Sequence, residues 1–210
     1  DWSSRVLFRS FQEVDLEISV KTRIGIAAPE EFPELMEIFN RYPIRELTVH
    51  PRLRTDFYKN TPDWESFGYA VKESRAPLCY NGDVFTAEAF RSAAARFPSV
   101  GSVMLGRGLL ANPALAERIR GVEEAPLTSS RLAAFHQALY EGYCRAIPEE
   151  RNVLFKMKEM WTYLICMFPE ADRYGKKIKK AKSAGEYEAA VAALLREREP
   201  DPRAGYRAAL

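Results

Sequence analysis

The sequence predicts an α/β fold: about four βα units of a parallel barrel, arranged as half of a (β/α)8 barrel, over residues 1–125, then an all-α region over residues 126–210. Three observations lead there. Four short segments each run from apolar residues into a polar cluster, the layout of buried parallel strands that carry chemistry at their C-terminal ends. Helical signals fall between them at intervals of two to three dozen residues, the spacing of βα units. Beyond residue 128 the apolar period is helical throughout.

The strand candidates are Ile18-Ser19-Val20-Lys21-Thr22-Arg23, Leu47-Thr48-Val49-His50-Pro51-Arg52, Pro77-Leu78-Cys79-Tyr80-Asn81-Gly82-Asp83 and Val103-Met104-Leu105-Gly106-Arg107-Gly108. Pro29 suits the first turn of a helix carrying Phe32, Leu35, Met36 and Phe39. Thr61-Pro62-Asp63 reads as cap, first-turn proline and first-turn acid, with Trp64, Phe67 and Val71 on one face. Thr86 caps a helix with Phe90, Ala94 and Phe97, and Asn112-Pro113 opens one with Leu115 and Ile119. Residues 121–128, including Pro126, read as a linker. Stripes at Leu132, Phe135, Leu139 and Tyr143, and at Val153, Met157, Met160, Trp161 and Leu164, mark the next two helices. Ile178 with its lysines begins a third, and Tyr187, Val191, Leu194 and Leu195 mark the last, before a polar tail expected to fray.

Composition narrows the function classes. The net charge is only +2, but residues 126–210 hold 15 Lys+Arg against 11 Asp+Glu, while residues 1–125 hold 16 against 18. Cys79, Cys144 and Cys166 lack the spacing of a disulfide framework or a zinc site, so no metal is expected. No apolar run reaches the roughly 18 residues of a membrane span, and no signal peptide opens the chain, so a soluble cytoplasmic protein is expected. The chain opens at Asp1 without an initiator Met, on a polar run that fits no complete fold, which leads us to expect further natural sequence upstream.

The polar clusters carry the chemistry. Asn81-Gly82-Asp83 offers a tight turn with exposed backbone N–H groups, and Gly106-Arg107-Gly108 offers the same with a guanidinium. Each alone is an ordinary turn; two such loops after the last two strands suit a phosphate. Lys21 ends a strand expected to be buried, so its ammonium needs either an ion-pair partner or an electron-rich ligand. His50 ends another strand and is either a satisfied structural group or a member of the same mouth. Arg52, Arg54 and Lys59, interleaved with Phe57 and Tyr58, form either a solvated loop or a surface for a polyanion with a base to stack. Between residues 151 and 182 nine basic residues face three acids, and Lys176, Lys179 and Lys180 share one helical face suited to phosphates.

Ser-Val-Lys-Thr-Arg-Ile-Gly, Leu-Thr-Val-His-Pro-Arg, Cys-Tyr-Asn-Gly-Asp and Val-Met-Leu-Gly-Arg-Gly-Leu-Leu-Ala-Asn-Pro together resemble the second half of the tRNA-dihydrouridine synthase family, bacterial type, over roughly residues 17–120. The helical remainder resembles that family's C-terminal domain in length and class. The resemblance implies a TIM barrel holding FMN, reduced by NADPH, that hydrogenates the C5–C6 bond of uridines in tRNA. By position it implies that Lys21 and His50 contact the flavin, that Asn81, Gly82, Asp83, Gly106 and Arg107 enclose its phosphate, and that Arg52 and Arg54 face the RNA. Lys59 and the Lys176, Lys179, Lys180 face are expected on the tRNA as well. The family's proton-donating cysteine comes from the first half of its barrel, and none of the three cysteines here matches it. The chain is therefore expected to be a C-terminal portion, inactive alone. The residues by themselves leave two alternatives open: a half-barrel enzyme acting on a phosphorylated metabolite, or a non-catalytic RNA-binding module.

Overall fold

In a computed structural model, described over residues 2–122 and 127–207, the chain divides into two units, Asp1–Val84 with Glu88–Leu105, and Phe85–Ala87 with Gly106–Leu210. Of the 121–128 linker expected from sequence, residues 123–126, Pro126 among them, lie outside the described residues.

The first unit is α/β. Four parallel strands, β1 (Val20–Gly25), β2 (Leu47–Leu53), β3 (Leu78–Tyr80) and β4 (Ser102–Val103), stand in the sheet in chain order. Pairing sets Lys21 beside Thr48 and Arg23 beside His50, then Thr48 beside Cys79 and Cys79 beside Ser102. Because side chains alternate between faces, these residues form polar rows across one face. The opposite face carries Ile24, Leu47, Val49 and Tyr80, all buried. Pro51 has no N–H to give a ladder, and it sits where the β1–β2 register shifts and β2–β3 pairing has already ended. β1 starts two residues later than expected and runs past Arg23, so Lys21 is its second residue and exposed; the buried strand-end ammonium expected there is corrected. β4 is only two residues long, and the expected strand after Val103 is instead loop and helix.

Helices α1 (Trp2–Glu13), α2 (Phe32–Phe39), α3 (Trp64–Glu73) and α4 (Ala87–Arg96) complete this part of the chain. The opening polar run is thus helical, and Phe11 of α1 stacks on Tyr42 at 5.5 Å. Pro29 opens a one-turn 3₁₀ helix ahead of α2, and the Glu31 carboxylate accepts the N–H groups of Ile26, Ala27 and Ala28 at 2.8–2.9 Å, which holds its carboxyl below the usual range. Phe32, Met36 and Phe39 are buried, in agreement with their spacing. The cap of α3 is Asp63, which accepts from Glu65 and Ser66 N–H, two residues after the expected Thr61. Trp64 and Phe67 of α3 pack on Tyr80 and Phe97, with centroids 4.8–5.7 Å apart.

The second unit is helical: α5 (Arg107–Ala111), α6 (Leu115–Arg120), α7 (Ser129–Ala146), α8 (Glu150–Leu164), α9 (Asp172–Lys180) and α10 (Ala184–Glu197). The helix expected from Asn112-Pro113 is α6, and the additional short helix α5 precedes Asn112, capped by Gly106. Asn112 sits between them, its Oδ1 accepting Ala114 N–H and its Nδ2 donating to the Pro202 carbonyl. Gly121 ends α6 at φ 66°, a conformation that favours glycine. Thr128 and Ser183 cap α7 and α10 through their hydroxyls. The buried stripe of α7 is Ser129, Leu132, His136 and Tyr140 rather than the expected Leu132, Phe135, Leu139 and Tyr143, and Phe135 is exposed. The reason is polar: His136 turns inward to meet the Tyr187 hydroxyl. Leu132, Met157, Leu164, Met167, Tyr187 and Leu194 form the centre of the core.

The tail expected to fray is strapped down over residues 198–207. Ser129 Oγ donates to the Arg198 carbonyl, Asp201 N–H to Met167, and Arg207 Nη2 to the Cys166 carbonyl. Gly205 approaches residues 85 and 86 so closely that a Cβ there would lie 2.9 Å from Thr86 Cγ2.

Candidate functional site

The first unit gathers its charge on the polar face of the sheet. His50 stands beside Arg23 across the β1–β2 pair, and its Nε2 lies 3.2 Å from Arg52 Nη1. A guanidinium can only donate, so this nitrogen accepts, and the proton of the neutral ring is on Nδ1. Burial, together with Arg23, Lys21 and Arg52, pushes the imidazole down to about 4, partly opposed by Asp83. His50 is therefore neutral at pH 7.

Arg52 is 2% exposed, and its donors are engaged within the unit: Nε with the Asn60 carbonyl at 2.5 Å, Nη1 with Asp83 Oδ1 at 3.0 Å and Nη2 with Asp83 Oδ2. A buried guanidinium forked onto a carboxylate cannot face RNA, so the reading of Arg52 as a tRNA contact is corrected. Asp83, expected at a phosphate, instead presents both oxygens to Arg52. Sequence alone does not separate an exposed Arg from a buried one two residues away; the carboxylate that partners it is 31 positions on.

Lys21 makes no hydrogen bond or ion pair among the described residues, and desolvation followed by Arg23 lowers its ammonium below the ordinary lysine range. Arg23, to which the sequence assigns no role of its own, braces the loop after β2. Its Nη1 donates to the Leu53 carbonyl at 2.6 Å, its Nη2 to the Phe57 carbonyl at 3.0 Å, and its guanidinium lies 5.5 Å from the Tyr58 ring centroid. The period-two alternation Lys21, Arg23 and Thr48, His50, Arg52 was the available signal. Phe57 holds φ 52°, unusual for a large residue. Arg54, Phe57, Tyr58 and Lys59 are exposed on this loop.

Cys79 is buried beside Thr48 on the same face, and burial raises its thiol, in keeping with the small buried hydrophobe expected. Asn81 donates through Nδ2 to the Met104 carbonyl at 2.8 Å, tying the loops after β3 and β4. Gly82 is required by packing, since a Cβ there would lie 2.1 Å from the Tyr80 hydroxyl oxygen.

Gly106 and Arg107 belong to the second unit. A Cβ at Gly106 would meet nothing within 4 Å, so packing within the protein does not demand the glycine. The Arg107 guanidinium lies 5.1 Å from the Phe85 ring and 4.9 Å from Tyr206, the latter supplied by the strapped tail. On α9, Tyr174 and Ile178 point inward while Lys176, Lys177, Lys179 and Lys180 are exposed. Arg151, Lys158, Lys179, Lys180 and Lys182 line one shallow cleft with Glu150. Among the described residues no group of three His, Cys, Asp or Glu could hold a metal ion, and no helix is long and apolar enough to cross a membrane.

A parallel α/β sheet with Lys21, Arg23 and Arg52 around a neutral histidine on one face, on a chain that continues into a basic helical region, is the class of protein the fold and site define. The family model described as dihydrouridine synthase (Dus) matches residues 8–199. The chain belongs to that family. A tRNA-dihydrouridine(16) synthase of Pseudomonas syringae pv. tomato is 24% identical over 161 residues, covering 75% of this chain and 50% of the relative. A probable tRNA-dihydrouridine synthase of Rickettsia bellii is 30% identical over 162 residues, 71% of this chain and 49% of the relative. A tRNA-dihydrouridine(16) synthase of Cupriavidus necator is 24% identical over 186 residues, covering 85% and 56%. The chain spans about half the length of the curated relatives it matches.

Proposed function

We propose that this chain serves the FMN-dependent, NADPH-driven reduction of uridine to 5,6-dihydrouridine in tRNA, in the cytoplasm, with its sheet as four consecutive strands of a TIM barrel. The observation that carries the reading is the polar face of the sheet: Lys21, with no hydrogen bond or ion pair among the described residues, Arg23, and a neutral His50. This donor set suits FMN. A flavin ring offers carbonyl oxygens and ring nitrogens as acceptors, and Lys21 and His50 offer an ammonium and an N–H. When bound, FMN would supply hydride chemistry; the residues here would hold and orient it. Asn81 and Gly82 in the first unit are assigned to its phosphate. So are Gly106, whose Cβ position is open, and Arg107 in the second.

The tRNA is assigned to Arg54 and Lys59 beside the exposed Phe57 and Tyr58, and to Lys176, Lys179 and Lys180 within residues 126–210, the helical tRNA-binding region. Basic residues interleaved with aromatics suit a backbone with an unstacked base, and a lysine face on a helix suits phosphates. The relatives named as tRNA-dihydrouridine synthases support the substrate.

The test is flavin titration of the chain, read by FMN fluorescence quenching. Arg107→Ala should weaken binding roughly tenfold or more, because one charge-assisted phosphate contact is worth about 1.5–3 kcal/mol. Equal FMN affinity in the wild type and Arg107→Ala would reject the phosphate assignment.

A further inference from the structure

Arg52 and Asp83 are the most deeply placed charged pair on the polar face, and the proposed chemistry uses neither directly. Arg52 contributes all three of its nitrogens to fixed acceptors, and one of those acceptors is His50 Nε2 at 3.2 Å. That contact has a chemical consequence. With Nε2 committed as acceptor, Nδ1 must carry the ring proton. Nδ1 has no hydrogen-bond partner among the described residues, yet no buried side-chain nitrogen or oxygen is left without one, so Nδ1 must keep access to solvent.

We propose that Arg52 and Asp83 are positioning residues that lock His50 as the Nδ1–H tautomer, so that the imidazole presents a single neutral N–H donor to an acceptor atom on the polar face. The ligand chemistry this selects is a carbonyl oxygen, a ring nitrogen or an anionic oxygen. A donor such as an amino group or a hydroxyl proton is refused. That this acceptor belongs to flavin rests on the reading above; the tautomer does not. The arrangement works because the pair is forked. Asp83 accepts from both terminal guanidinium nitrogens, fixing the plane of Arg52, and Nη1 then points a second hydrogen at His50. A lysine at 52 would keep the charge and lose the plane.

The charged groups that face His50 make the device testable. Lys21 and Arg23 stand on β1, Arg52 on β2 and Asp83 after β3; the Tyr58 ring lies 6.1 Å away. Burial and then the three cations disfavour the imidazolium, and Asp83 favours it. The two members of the pair therefore push His50 in opposite directions, and their removal should separate. Asp83→Asn should carry the His50 titration still lower. Arg52→Gln removes one cation and frees Asp83 while burial, Arg23 and Lys21 remain, so the titration should rise above about 4, with the proton moving to Nε2. A pair that merely held the fold would move both variants the same way or neither.

The experiment is long-range ¹H–¹⁵N NMR of the imidazole rings across pH, on the full 210-residue chain. With two histidines, a His136→Gln control assigns the spectrum. The wild type should show His50 as one Nδ1–H tautomer at neutral pH. An Nε2–H or exchanging pattern, or a charged ring at pH 7, overturns the proposal without any variant. So does retention of the Nδ1–H pattern in both Asp83→Asn and Arg52→Gln. Adding FMN separates the two readings. A shift of the Nδ1–H resonance supports flavin as the acceptor, and no shift with the tautomer intact rejects flavin at His50 while the positioning role stands.

Discussion

The buried histidine of the helical unit gives the sharpest quantitative expectation. His136 Nε2 lies 2.5 Å from the Tyr187 hydroxyl, and that hydroxyl accepts from Trp161 Nε1–H at 2.9 Å. With one lone pair of Tyr187 taken by Trp161, its O–H proton remains free to be donated to His136 Nε2. Burial pushes the imidazole from 6.5 down to about 4. A histidine with a depressed value in the fold binds fewer protons than in the unfolded chain, so its stabilising contribution is full above pH 6.5 and is lost as pH falls toward 4. A tenfold change in proton affinity is worth about 1.4 kcal/mol, so His136 contributes about 3 kcal/mol across that window. Glu31 and Glu197 also sit below their ordinary range, but their unfolded value of 4.5 confines their effect to more acid solution, and His50 adds an effect of the same sign. The perturbation is His136→Gln, which keeps an acceptor for Tyr187 and removes the titration. Urea unfolding from pH 7 to about pH 4.5, followed by tryptophan fluorescence and circular dichroism, should show the wild type losing stability steadily and the variant losing distinctly less. Identical slopes for the two proteins would refute the argument.

Two further outcomes follow from packing and charge. Gly82→Ala should destabilise the first unit by about 1–3 kcal/mol in urea melts, because its Cβ would lie 2.1 Å from the hydroxyl of the buried Tyr80; a neutral result would show that the Tyr80 ring can move. Reversing the charge of Lys176, Lys179 and Lys180 together should raise the apparent Kd for tRNA and flatten its salt dependence by somewhat under one unit of slope per lost phosphate contact, measured by filter binding across a salt titration; unchanged binding would make this face solvated surface only.

What the sequence determined by itself was local. Apolar runs ending in polar clusters located the first three strands and the end of the fourth, because a strand buried on its helix-facing side must be apolar whatever it packs against. Helical spacing placed Phe32, Met36 and Phe39, and Val153, Met157, Trp161 and Leu164, with the apolar side inward. The motif set pointed to the family whose model matches residues 8–199. What only the tertiary structure decided were pairings between distant residues. Whether Arg52 meets water or Asp83 depends on a loop 31 residues away, and a buried guanidinium is tolerable only once that carboxylate is in place. The rotation of α7 that buries His136 and exposes Phe135 depends on Tyr187, 51 residues on. The order of the 198–207 tail depends on carbonyls and hydroxyls from α7 and the turn after α8. Periodicity records how much of a side chain leaves water. It does not record which polar partner makes that burial tolerable, because the partner is chosen by three-dimensional proximity and not by spacing along the chain.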